Sequence, residues 1–228
     1  MAGAQPLLAP AAPLGATRVG LAVWPDRLAV LVNSCPNHAL SWRCFGDAVG
    51  KGGWAALGGP AEWGPISIGF PDPPNDATGL AALGAATAGY FGKSDLSSTD
   101  LDDPGFQSWL RKLVQANADN PALEDMLVRG PAEAGAAATL DAVGQPLIAL
   151  SARTPNPSLT YPAPVASADV VLGSVISDRG RRLAQLVEGR LPELLHKAGW
   201  GVAVPLDKTG LPPAGLLDAL RDAWKAAE

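Results

Sequence analysis

Histidine, cysteine, tyrosine and methionine occur only twice each in this chain of 228 residues. Two histidines (His38, His196) and two cysteines (Cys35, Cys44) are too few for an ordinary His/Cys metal centre, which draws on three or four such ligands. Basic charge is also scarce: 17 Lys and Arg stand against 22 Asp and Glu, a formal net charge of -5. Phosphate-backbone binding rests on a basic surplus, so nucleic acid is not expected as a partner. No run of 18 apolar residues is present, so nothing in the sequence reads as a bilayer-spanning helix. The uncharged Ala/Pro/Leu-rich stretch 1–17 has no basic start ahead of its apolar part, and reads as a low-complexity tail rather than a secretory signal. Catalytic signatures are missing as well. There is no G-x-S-x-G elbow. Gly50-Lys51-Gly52-Gly53 lacks the Gly-Lys-Ser/Thr that would make it a phosphate loop, and reads as a flexible turn. No internal repeat is visible.

Apolar residues are plentiful, at 47% of the chain, which supports a substantial core and excludes disorder for the bulk. Glycine (26) and proline (22) together exceed a fifth of the residues, as in a loop-rich α/β protein rather than a helical bundle. Short apolar runs at 18–23, 27–33, 66–70 and 147–150 predict buried strands, with a further one at 170–175. Amphipathic spacing predicts helices over 42–49, 78–91, 121–128, 178–198 and 212–226, with Pro192 kinking or splitting the fourth. Asp103 followed by Pro104 marks a helix start, and Phe106, Trp109, Leu110, Leu113 and Val114 trace its apolar stripe. Residues 93–102 read as a polar loop, 130–141 as a helix or turn, and 153–164, with four prolines, as extended.

Each candidate for chemistry has a plain structural alternative. His196 sits in mid-helix and His38 in a turn, so neither resembles a triad base. Cys35 and Cys44 lie across a loop, either as a disulfide in an exported protein or as two small core thiols in a reducing one. Asp102 with Asp103, and Glu124 with Asp125, are sequence neighbours that point to different sides of a helix and read as caps. The segment 75–79 opens a helix, where free N–H groups attract anions. Among seven tryptophans, Trp42, Trp54 and Trp63 cluster in sequence and suit either a loop-rich core or a sugar-stacking surface.

Several stretches, taken in order, resemble the type II periplasmic-binding-protein family of extracellular solute-binding domains. Leu28-Ala29-Val30-Leu31-Val32-Asn33 resembles its crossing strand, and Trp54-Ala55-Ala56-Leu57-Gly58-Gly59 with Trp63-Gly64-Pro65-Ile66 is similar to a turn and strand of phosphate-type binders. Asp72-Pro73 through Thr78-Gly79-Leu80 resembles the ligand-facing helix start, Leu159-Thr160-Tyr161-Pro162 the return crossing, and Ala198-Gly199-Trp200 the close of a terminal helix. The segment 211–224 is similar to the linker before a von Willebrand A (VWA) domain in bacterial substrate-binding/VWA surface proteins. The resemblance departs in two places: the opening βαβ units are missing or reduced, and the G-S-G-T of phosphate binders is here Asp76-Ala77-Thr78-Gly79.

The resemblance implies a two-lobed α/β fold, with 1–17 as tail, 18–33 and 151–228 as a discontinuous lobe I, and 34–150 as lobe II. It implies a non-enzymatic, extracellular or cell-surface transport or sensor domain that holds a small polar or anionic ligand between its lobes. Asn33, Ser34, Thr78, Gly79, Thr139 and Tyr161 would face that ligand, no cofactor or metal would be needed, and Cys35 and Cys44 would form a disulfide. A membrane-protein or surface-protein partner would read lobe closure. The rival reading is a protein-protein or cell-wall interaction module with the same fold and a degenerate pocket.

Overall fold

A long strand, β1 (Ala12–Val23), organises the molecule, which was analysed as a computed structural model describing residues 12–117, 122–172, 177–201 and 210–228. Its odd-numbered residues Val19, Leu21 and Val23 are fully buried in the main core, while Ala22, pointing the other way, joins a smaller cluster with Trp24, Leu123, Met126 and Ala137. This is the alternation that a strand buried on both faces requires. Along one edge β1 pairs antiparallel with β3 (Ala136–Leu140), which in turn pairs in parallel with the short β2 (Ile68–Gly69). Along the other edge β1 pairs antiparallel with β4 (Ser158–Thr160), opposite Leu21–Val23, and β5 (Ser167–Leu172) pairs antiparallel with Ala12–Arg18. The sheet order is β2-β3-β1-β4, with β5 on the N-terminal half of β1. The expected tail therefore enters the sheet from Ala12 onward.

Helices cover the C-terminal half of the sheet. α1 (Pro25–Ser34) follows β1 directly, and its last residues reach α2 (Trp42–Val49), to which the Cys35–Cys44 disulfide ties it. α3 (Ala77–Phe91) is built from Ala, Gly and Leu and is buried from Gly79 to Ala88, because small side chains let neighbours approach on every side. A short α4 (Ser98–Leu101) lies within the expected polar loop, closed by reciprocal contacts between Ser97 and Asp100. α5 (Pro104–Ala116) starts at the Asp103 cap, whose carboxylate accepts the Phe106 N–H at 2.7 Å, and buries Phe106, Trp109, Leu110 and Leu113. α6 (Leu123–Arg129) packs on β3. Asn117 fastens the end of α5 to β2 by accepting the Phe70 N–H (2.7 Å) and donating to the Phe70 carbonyl (3.0 Å).

Two strand expectations and one helix-or-turn expectation are corrected. Residues 27–33, likened to a crossing strand, lie in helix α1, where Arg27 and Leu31 are buried one turn apart. Residues 147–150 belong to α7 (Asp141–Leu150), and 130–141, expected as a helix or turn, holds a turn at 131–133 followed by strand β3. The split at Pro192 is present: α8 (Asp178–Glu188) and α9 (Leu191–Lys197) are separate helices. Of the 170–175 strand, residues up to Leu172 form β5, and the remainder lies outside the described residues. The segment likened to a linker before a VWA domain is largely α10 (Ala214–Ala227), which buries Leu216, Leu220 and Trp224. The Trp224 ring stacks on Phe70, 6.2 Å between centroids. α10 thus packs on α3 and α5, in the body assigned to lobe II, rather than apart from it.

Candidate functional site

The feature most suited to holding a ligand lies midway along β1. Arg18 projects there from the sheet, and its guanidinium lies 3.7 Å above the Tyr161 ring. Its Nε and Nη2 donate to Asp141 Oδ2 at 3.2 and 2.8 Å, and the Tyr161 hydroxyl donates to Asp141 Oδ1 at 2.7 Å. Each residue comes from a different element: Arg18 from β1, Asp141 from the first position of α7, Tyr161 from the residue after β4. Thr17, next to Arg18, accepts the Ala142 N–H at 2.9 Å, meeting one of the donors that a helix start leaves open. Burial first, and then the hydrogen bond to Asp141, pushes the Tyr161 hydroxyl above its ordinary pKa.

Arg18 and Asp141 border a groove of about 670 Å³. One wall is α7, through Ala142, Gln145, Pro146 and Ala149; the other is the end of α9, through Lys197, Ala198 and Gly199. The Arg18 side chain is 51% exposed, and its Nη1 has no protein partner among the described residues, so a charged bidentate-capable donor faces the groove with capacity to spare. Lys197 adds a second cation, ion-paired to Glu193 at 2.7 Å. Asp169 shares the sheet face of Arg18, because it is opposite Ala16, two residues along β1. Both of its carboxylate oxygens are buried without a partner among the described residues, and desolvation pushes its pKa up.

Of the six residues expected to face a ligand, Tyr161 contacts Arg18 and Asp141 and Thr139 lies close by on the sheet, but neither is among the residues that line the groove. Thr139 is opposite Gly20 on β1, and a side chain on Gly20 would come within 2.8 Å of the Thr160 carbonyl and 3.2 Å of the Tyr161 ring. Thr139 lies on β3 rather than in a loop; it is 3% exposed and its hydroxyl donates to the Leu140 carbonyl at 3.3 Å. The other four lie elsewhere. Asn33 is exposed in the last turn of α1, and the Ser34 hydroxyl donates to the Leu31 carbonyl at 2.8 Å, as a helix end does. Ser34 edges a separate shallow hollow with Ser41, Arg43, Asp47 and Lys51. Thr78 and Gly79 form the first turn of α3, where the Gly79 N–H is taken by its own cap, Asp76 Oδ1, at 2.9 Å. The Cα of Gly79 lies against the Pro71 carbonyl, so this glycine serves close packing.

Sequence reasoning missed Arg18, Asp141, Gln145 and Lys197. The one signal was a charged residue opening the otherwise apolar 18–23 strand. The tryptophans divide: Trp42 and Trp54 are buried, and Trp63 meets Trp54 edge-on at 5.8 Å beneath the Arg27 guanidinium, 3.8 Å away.

No protein-family model matches the chain, and no curated protein matches it. Among solved structures, a Streptococcus pneumoniae solute-binding protein in complex with the blood group A-trisaccharide superposes with a TM-score of 0.49 at 13% identity, over 95% of this chain. The chain spans 59% of the length of that protein. The likeness is loose, and the site is read from its own residues.

Proposed function

We propose that this protein is a non-enzymatic solute-binding or sensor domain that holds a small polar or anionic ligand in the groove between α7 and α9. The observation that carries the reading is the half-exposed Arg18, positioned by Asp141 and Tyr161 with one guanidinium nitrogen unspent toward the groove. On this reading β1 and the β4–β5 segment are the two crossings of a reduced type II fold. The larger body carries α1 to α7 and α10, the smaller carries α8 and α9, and the groove lies where they meet. Binding there would be read out as a change in the approach of α9 to α7. The Cys35–Cys44 bridge suits an extracytoplasmic setting, where such bonds persist. Both histidines are exposed and neither lines the groove, which favours binding over general base catalysis.

Calorimetric titration with phosphate, sulfate, citrate, free amino acids and a neutral trisaccharide tests the proposal. At least one probe should bind, and Arg18→Ala should weaken it by about 10- to 100-fold, the worth of a hydrogen bond to a charged group. Binding unaffected by Arg18→Ala would reject the site. Silence from every probe would favour the second reading, an interaction module with a degenerate pocket, for which one observation speaks: Asp141 already neutralises Arg18.

A further inference from the structure

We propose that α8 is a membrane-surface anchor that lies on anionic lipid. None of its residues is buried, although its sequence is strongly amphipathic. Leu183, Leu186 and Val187 fall on one side at helical spacing, and Leu183 and Leu186 are 63% and 72% exposed. Leu194 of α9, 57% exposed, adds a further apolar side chain nearby in the chain. A soluble helix ordinarily turns such a stripe inward.

Charge identifies the occupant. Between 178 and 197 there are five basic and three acidic side chains, in a chain whose formal charge is -5. Arg181 pairs with Asp178 and Lys197 with Glu193, whereas Arg179, Arg182 and Arg190 make no ion pair among the described residues. By helical geometry Arg179 and Arg182 border the leucine stripe, while Gln185 and Glu188 lie opposite. Leucines flanked by arginines, on a helix of low overall hydrophobicity, suit the boundary between acyl chains and anionic headgroups, with the arginine stems buried and their heads at the phosphates. A second copy fits less well. A two-fold contact would bring the same arginines against one another, over an apolar area of only a few side chains.

Co-sedimentation of the full chain with phosphatidylcholine vesicles, with and without about a third phosphatidylglycerol, tests this. The protein should bind the anionic vesicles and not the neutral ones, and should be released as salt rises from about 0.1 to about 1 M. Leu183→Glu/Leu186→Glu should abolish binding, and Arg179→Ala and Arg182→Ala should each lower it about fivefold, with an unchanged melting temperature showing that the fold is intact. Equal binding to both vesicle types, no binding to either, or a concentration-dependent dimer that Leu183→Glu/Leu186→Glu dissolves would each overturn the proposal. Because α8 lies outside the groove, this outcome is separable from that of the solute titrations.

Discussion

Gly79 shows how a residue resembling a ligand contact can be structural. In the family pattern its position opens a ligand-facing helix, yet here a Cβ would land on the Pro71 carbonyl, which is backbone and cannot swing aside. Gly79→Ala should destabilise the fold by about 3 kcal/mol, the upper range for overpacking, measured as a lower urea midpoint with binding per folded molecule unchanged. Asp169 is the reverse case, a charged side chain with no visible structural reward. Its folded-state pKa is raised by desolvation, so in the unfolded chain it ionises first. Below the ordinary carboxylate pKa both states hold the proton and nothing is lost. As pH rises from there to the raised folded value, stability falls, and the deficit persists at neutral pH. Asp169→Asn should therefore melt higher than the native protein at pH 7, with the two converging in acid. A native protein that melts higher at pH 7 would mean that the carboxylate has a cationic partner in solution.

At the scale of elements, the Cys35–Cys44 bond closes a loop with a sequence separation of 9, from the end of α1 to the first turn of α2. Chain-entropy arguments assign such a loop about 2–3 kcal/mol, so Cys35→Ser/Cys44→Ser should lose that much in chemical denaturation. A loss below about 1 kcal/mol would mean that α1 and α2 hold together by packing alone. The helices that announced themselves did so locally: Asp103-Pro104 starts α5, and Pro192 separates α9 from α8. α1 carried the same kind of signal in Pro25 and Asp26, but its Leu/Val run obscured it. β3 gave no signal. Its Ala-rich residues favour a helix in isolation, yet only side chains that small fit a strand buried at every position, packed by α3 and α6. α7 was hidden for another reason: the hydroxyl that meets its Ala142 N–H is Thr17, 125 residues away. Distance in sequence likewise concealed the candidate site. Arg18 and Asp141 are 123 residues apart, and no spacing rule joins them before the sheet does. Tyr161 was reachable because the proline-rich stretch around it was legible as extended, as β4 just before it is.

The whole molecule is unevenly held. Residues 21–23 of β1 lie between β3 on one edge and β4 on the other, with main-core and small-cluster side chains on the two faces. Opening them breaks both ladders and exposes both clusters, which amounts to global unfolding. The smaller end has far less to lose: β5 is an edge strand paired only with β1 among the described residues, α9 and the turn after it reach the sheet through Leu195 and Trp200 against Gly15, and α8 has no buried residue. Native-state hydrogen exchange should separate these regions, with amides of 19–23 at least about a thousandfold more protected than those of α8 and with β5 between them. That gradient is what the proposed closure of the groove between α7 and α9 would need, since a wall that moved on binding would have to be the one that costs less to displace. Uniform protection across β1 and α8 would show instead that the two ends open as one unit, leaving the groove with rigid walls and no closure for a partner to read.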